Sequence, residues 1–214
     1  SLRFRSYIVV INLKRPTMIT LDELLASRDA RHALQQQLLA EHPGHTLVCT
    51  TVVVPGSVKR NQQSLIVAHA AVEALRKAFG VDQWTERDRQ QRFIERDLPT
   101  GYEVYLVTPT PLLEAKLMAV QIEDSHPLGR LFDIDVIDQQ GAPVPRTAVG
   151  GEPRRCLVCN REARYCMRMR WHSQDDIWEA INQRIDAYVK STFSLSQMSK
   201  AKLASAMPWR ENEG

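Results

Sequence analysis

Residues Thr46 to Val54 read TLVCTTVVV, an almost unbroken apolar run rich in β-branched side chains. His42-Pro43-Gly44 stands before it and Pro55-Gly56-Ser57 after it. A run of this length and composition is a strand, and its near-continuous apolarity marks a central, buried one. The rest of the chain is read around it. Upstream, Leu21, Leu24, Leu25, Leu34, Leu38 and Leu39 form a helical stripe to about Ala40, interrupted at Arg28-Asp29. Thr20 followed by Glu23 reads as a capping box that opens this helix just after Met18. Downstream, a helix is expected from about Asn61 to Phe79. Tyr102 to Val107 alternates as a strand. Leu112, Leu113, Leu117 and Val120 have helical spacing. Residues 82–97 are too charged to assign.

Phe132 to Val136 is another alternating strand, and residues 139–153 form a Gly/Pro-rich linker. A Cys/Arg-rich segment at 154–172 precedes a last helix over about 174–192. The expected class is α/β (α+β), with a mixed central sheet flanked by helices. Residues 18–193 are expected to form a single domain, followed by a polar, frayed tail at 194–214. No apolar run approaches the roughly 20 residues of a membrane-spanning helix, so no membrane role is expected.

Charge bears on partners. The 214 residues carry a formal +3, but residues 1–17 hold Arg3, Arg5, Lys14 and Arg15 and no acid. Without them the chain has 24 basic against 25 acidic residues. The segment lacks a small-residue cleavage site, so a signal peptide is not indicated. Its β-branched Ile8, Val9, Val10 and Ile11 could form an edge strand, but with the capping box at Thr20 it reads rather as an extension upstream of a native start at Met18. A generally basic, nucleic-acid-coating protein is not indicated either.

Period two puts Asp133 and Asp135 on one face of their strand, with Phe132, Ile134 and Val136 behind. Two adjacent carboxylates repel each other, and a divalent cation such as Mg²⁺ would relieve them and orient a phosphoryl group. The plain alternative is a solvated outer face on an edge strand. Just upstream, Ser125-His126-Pro127-Leu128-Gly129-Arg130 supplies an imidazole, a flexible Gly and a guanidinium. Arg130 suits a polyphosphate. His126 is a candidate general base, or merely a loop hydrogen-bonding group.

Two further groups stand out. After the central strand, Gly56 and Ser57 lie at a turn into a helix, with Lys59 and Arg60 beside them, an arrangement able to receive an anion. It matches neither common Gly-rich nucleotide motif. In RRCLVCNREARYCMRMRWH, Cys156, Cys159, Cys166 and His172 have the spacing C-x2-C-x6-C-x5-H. They could make a Cys3His zinc knuckle, a redox pair or buried structural thiols. Arg154 and Arg155 precede them, and interleaved Arg would favour thiolate. Cys49, inside the apolar strand, reads as inert core.

Four blocks in colinear order carry a resemblance. They are Leu24-Leu25-Ala26-Ser27-Arg28-Asp29, Val52-Val53-Val54-Pro55-Gly56, Ser125 through Val136, and Arg154-Arg155-Cys156-Leu157-Val158-Cys159 with Cys166, Arg168 and His172. Together they resemble the apo-citrate lyase phosphoribosyl-dephospho-CoA transferases, also called citrate lyase holo-acyl-carrier-protein synthases. The resemblance spans about Leu21 to Ile185. It implies a nucleotidyltransferase-type enzyme that moves 2′-(5″-triphosphoribosyl)-3′-dephospho-CoA onto a serine of the apo acyl-carrier subunit of citrate lyase, with pyrophosphate leaving.

On that reading Asp133 and Asp135 hold Mg²⁺. Arg130, Arg154, Arg155, Lys59 and Arg28, with Gly56 and Ser57, bind the triphosphate, and His126 activates the acceptor. Clustered thiols and the lack of a signal peptide suit a reducing cytoplasm. Two rivals stay open at this point. One is a zinc-knuckle nucleic-acid-binding module. The other is a related transferase acting on another carrier, such as that of malonate decarboxylase.

Overall fold

The computed structural model describes residues 17–205, with side chains to residue 194. Of residues 1–17, read as an upstream extension, all but Thr17 lie outside the described residues, as do residues 206–214.

Four strands form one sheet in the order β2-β3-β1-β4. They are β1 (Thr46–Val52), β2 (Phe93–Leu98), β3 (Gly101–Thr108) and β4 (Phe132–Ile137). The apolar run is central, as its composition requires, with β3 on one side and β4 on the other. The expectation of an α/β chain whose central sheet is flanked by helices holds, and every ladder is antiparallel. The ambiguous stretch 82–97 resolves into α3 (Glu86–Arg92) followed by β2. β2 folds back on β3 at a turn where Leu98 faces Gly101, whose φ of 127° favours glycine.

The helices follow from local signals. Thr20 and Glu23 make the expected capping box on α1 (Leu21–Glu41). Asn61 and Ser64 make another on α2 (Gln62–Ala78). Each cap contributes about 1 kcal/mol. Next come α4 (Leu112–Ser125), a short α5 (Ala163–Met169) and α6 (Gln174–Ser205). The last helix continues well past its expected stop near residue 192.

One face of the sheet buries Val48, Leu106, Phe132, Ile134 and Val136 against α2, α4 and α6. Each such side chain contributes roughly 1.5–3 kcal/mol by leaving water. On the other face Leu47, Cys49, Tyr105, Val107 and Ile137 meet Leu38 and Leu39 of α1. Only the C-terminal half of α1 packs this way. Leu21 and Leu25, expected in the apolar stripe, are exposed. The sheet beneath the N-terminal half is polar, because register aligns Arg96, Glu103, Thr51 and Asp133 across all four strands.

Candidate active site

Alternation on β4 leaves Asp133 and Asp135 exposed and Phe132, Ile134 and Val136 buried. The pair therefore shares one face, and that face points toward α1. β4 is an edge strand, yet its edge is not left to water. Glu123 of α4, 3% exposed, accepts from the Ile134 N–H at 3.0 Å. Arg154 donates to the Phe132 carbonyl and, at 3.1 Å, to Asp133. Val144 N–H reaches the Val136 carbonyl at 2.8 Å. Side chains and a loop stand where another strand would pair.

Two cavities flank the aspartates, and Asp133 lines both. The first, about 220 Å³, lies under the start of α1, where Arg28, Arg31 and Lys59 supply positive charge beside Thr51. Arg31 is held by buried Glu103 at 3.0 Å, and Glu103 also accepts from Tyr105 at 2.6 Å. Lys59 donates to the Val54 carbonyl at 2.7 Å. Burial, and then Arg28, lower its pKa. The second cavity, about 260 Å³, opens off the free edge of β4. Its wall includes Lys116, Glu123, Asp135, Arg146, Arg154 and Arg164.

Electrostatics mark this edge. Although Asp135 is open to solvent along the strand, the protein packed around its carboxyl, and then the charge of Asp133, push that carboxyl above its ordinary range. Burial likewise raises Glu123, with Arg154 and Arg146 opposing. It lowers the ammonium of Lys116, against the pull of Glu123 and Asp135. Two neighbouring carboxylates of which one has a single Arg partner are a fitting donor pair for a hard divalent cation.

The structure thus gathers Arg28, Lys59, Arg154, Asp133 and Asp135. It does not gather the others there. Gly56, at φ 80°, abuts Gln174, and the Ser57 carbonyl accepts from Ile19 at 2.9 Å, so the turn delivers Lys59 rather than an anion nest. Arg60 is taken by Asp97 in two bonds of 2.7 and 2.8 Å. Arg130 donates to the Arg155 carbonyl, and Arg155 to Asn160. His126 caps α4 and accepts from Leu128 N–H at 3.0 Å. Its ring packs on Phe132 and Tyr188, on the face of β4 opposite the aspartates. Burial lowers its pKa. The geometry makes it a holder of the turn, because Phe132 points the other way from Asp133.

Sequence reasoning missed Arg31, Glu103, Lys116, Glu123, Arg146 and Arg164. Charged residues on a strand or helix read as solvated until the register places them. One signal was available: Glu123 and Lys116 interrupt the α4 pattern on the same side as Ala115 and Ala119.

The Cys/Arg segment folds as a small hairpin, bridged at Arg155 and Glu162, leading into α5. The ligand atoms of Cys156, Cys159, Cys166 and His172 all lie within 4.8 Å of one another and could hold a metal ion. Cys159 and Cys166 sulfurs are 3.6 Å apart, and His172 Nε2 is 3.3 Å from Cys159. Burial works against thiolate at Cys156, but the N–H groups of Val158 and Cys159 hold its pKa below the ordinary value. Burial and the neighbouring thiols push Cys166 up to about 12. Three soft sulfurs and one imidazole are a fitting set for zinc. Cys49 is buried core, its thiol also pushed up to about 12 by burial, and it accepts from Gln35 at 3.4 Å.

Comparison with known proteins identifies what the chain as a whole is similar to. A family model described as apo-citrate lyase phosphoribosyl-dephospho-CoA transferase matches residues 19–188. A Streptococcus pyogenes protein named "Probable apo-citrate lyase phosphoribosyl-dephospho-CoA transferase" is 34% identical, covering 79% of this chain and 87% of its own. The Escherichia coli apo-citrate lyase phosphoribosyl-dephospho-CoA transferase is 36% identical over 79% of this chain and 91% of its own. Protein CitXG of Haemophilus influenzae is 37% identical over 76% of this chain, which corresponds to 34% of that longer protein.

Proposed function

The chain belongs to the apo-citrate lyase phosphoribosyl-dephospho-CoA transferase family, and from that premise we propose that it transfers triphosphoribosyl-dephospho-CoA to a serine of the apo acyl-carrier subunit of citrate lyase. One observation carries the reading. Asp133 and Asp135 stand side by side between two cavities lined by cations. A polyphosphate bound there meets positive charge on both sides of the carboxylates.

In the transfer, the carrier's serine oxygen forms a bond to the α-phosphorus. The bond to the pyrophosphate oxygen breaks, and its electron pair leaves with pyrophosphate. Charge grows on the phosphoryl oxygens, and donors fixed in place beforehand stabilise it most. Arg28 and Lys59 supply such donors from the α1 side and Arg154 from the β4 edge. Arg31, anchored on Glu103, keeps the first cavity positive. Asp133 and Asp135 would hold Mg²⁺, which supplies charge neutralisation at the phosphoryl oxygens. Cys156, Cys159, Cys166 and His172 would hold zinc in a structural role. That knuckle begins at Arg154 and Arg155, so it fixes the arm that reaches the Phe132 carbonyl. Free thiols there need a reducing compartment, which the cytoplasm provides.

The test is direct. Incubated with Mg²⁺ and precursor, the citrate lyase carrier gains the mass of the prosthetic group, while the malonate decarboxylase carrier does not. Asp133→Asn and Asp135→Asn each abolish the gain and leave the thermal melt within about 2 °C, because each replacement removes like-charge repulsion without opening a cavity. Retained activity in either variant removes the metal-holding role from that residue.

A further inference from the structure

The cavity at the edge of β4 contains a cation that the scheme above leaves unused. Lys116 is 4% exposed, yet it lines this cavity. Among the described residues its ammonium makes no hydrogen bond and joins no ion pair. Two arginines on the same wall are engaged. Arg146 binds Glu123 at 2.5 Å and Asp124 at 2.7 Å. Arg154 binds Asp133 and the Phe132 carbonyl. Glu123 is satisfied without Lys116, because Arg146, Arg154 and the Ile134 N–H already surround it.

Its apolar stem is buried, while its nitrogen is not among the sealed polar atoms, so the ammonium opens onto the cavity. A cation delivered there on a buried stem, with no hydrogen-bond acceptor fixed to it, is free to take an anion that enters the cavity. Lys116 shares the cavity wall with Glu123, Asp135 and Asp133, and all three attract its charge, Glu123 most.

We propose that Lys116 is the anion-binding group of this cavity and takes the phosphoryl oxygens that leave as pyrophosphate. The identity of the anion rests on the transferase reading, whereas the cation at the cavity wall does not. As the bond from the α-phosphorus to the pyrophosphate oxygen breaks, the electron pair collects on that oxygen. The serine proton passes to solvent. A compact ammonium with three rotatable donors, set on the cavity wall beforehand, stabilises that charge. Arg164, exposed at the cavity mouth, adds charge where the product departs.

Lys116→Met keeps the apolar stem and removes the charge. The probe is inorganic pyrophosphate with Mg²⁺, read as a rise in melting temperature and as inhibition of transfer. The variant is expected to melt at or above the wild-type temperature and to lose at least about tenfold in pyrophosphate affinity, the worth of one charged hydrogen bond. The KM for the carrier protein stays unchanged. Lys116→Arg recovers part of the pyrophosphate affinity. Unchanged pyrophosphate affinity in Lys116→Met overturns the proposal. A lowered melt alongside that unchanged affinity would make Lys116 an internal counter-ion instead. Lys116-dependent pyrophosphate binding without a mass gain on the citrate lyase carrier would keep the anion site and remove the carrier reading. A modified carrier with indifferent Lys116→Met would do the reverse.

Discussion

At the scale of single residues, Gly129 shows how the Ser125–Arg130 motif works. The sequence suggests a flexible glycine, but the structure uses it for close packing. A Cβ at this position would sit 2.4 Å from the Glu123 carbonyl oxygen and 2.6 Å from that of Ile122. The turn closes on the last turn of α4 through His126 N–H to Ile122 at 3.1 Å and Gly129 N–H to His126 at 2.8 Å. Gly129→Ala must push that helix end away, and with it the Glu123 carboxylate bonded to Ile134. The expected cost is about 1–3 kcal/mol, as for overpacking elsewhere, read from the urea midpoint. Transfer should fall as well, since Glu123 also fixes Arg146 and Arg154. An unchanged midpoint would show that the helix end yields freely. Asp133 and Asp135 were legible because period two is a rigid geometric rule. The close approach at Gly129 was not, because it joins two backbones whose relation only tertiary packing sets.

Elements show the same division. The strands β1, β3 and β4 and the caps of α1 and α2 follow from short-range pattern. The phase of α4 does not. Leu113 and Leu117, read as its apolar stripe, are exposed, while Ala115, Lys116, Ala119 and Glu123 are buried. Small alanines let the helix lie close against the sheet, and that closeness brings Lys116 and Glu123 to the strand edge. A hydrophobicity count favours the leucines because it weighs size and ignores approach distance.

The knuckle is an element held by chemistry rather than by packing. Only Leu157 of its hairpin packs on the main core, helped by Arg184 donating to the Leu157 carbonyl at 3.0 Å. Cys159→Ser should therefore lower bound metal below one equivalent and reduce the melting temperature by at least about 4 °C, some 1–2 kcal/mol at this chain length. Transfer should drop with it, because Arg154 loses its anchor. Metal analysis and calorimetry read both. Full metal content in the variant would remove Cys159 from the ligand set.

For the whole molecule, two half-buried imidazoles tie stability to pH. His69 lies edge-on to Tyr102 with centroids 5.7 Å apart, and His126 sits between Phe132 and Tyr188. Burial lowers both pKa values from the ordinary 6.5. A lowered folded-state pKa means that the unfolded chain binds the proton first. The stabilising contribution is complete above 6.5 and is lost as pH falls toward the folded values. Each histidine adds a slope of up to about 1.4 kcal/mol per pH unit in that window. Asp135 and Glu123, raised by burial, act in the opposite sense lower on the scale, where their protonation favours the folded chain. The melt should thus fall as the pH drops below 6.5, then flatten once the folded chain's histidines are protonated too. His126→Gln should remove roughly half of the first slope and, with the ring on the far face of β4, keep transfer within about tenfold of wild type. Melts and rates across pH 5–8 separate the two roles. A variant that keeps the full slope and loses transfer altogether would return His126 to the chemistry.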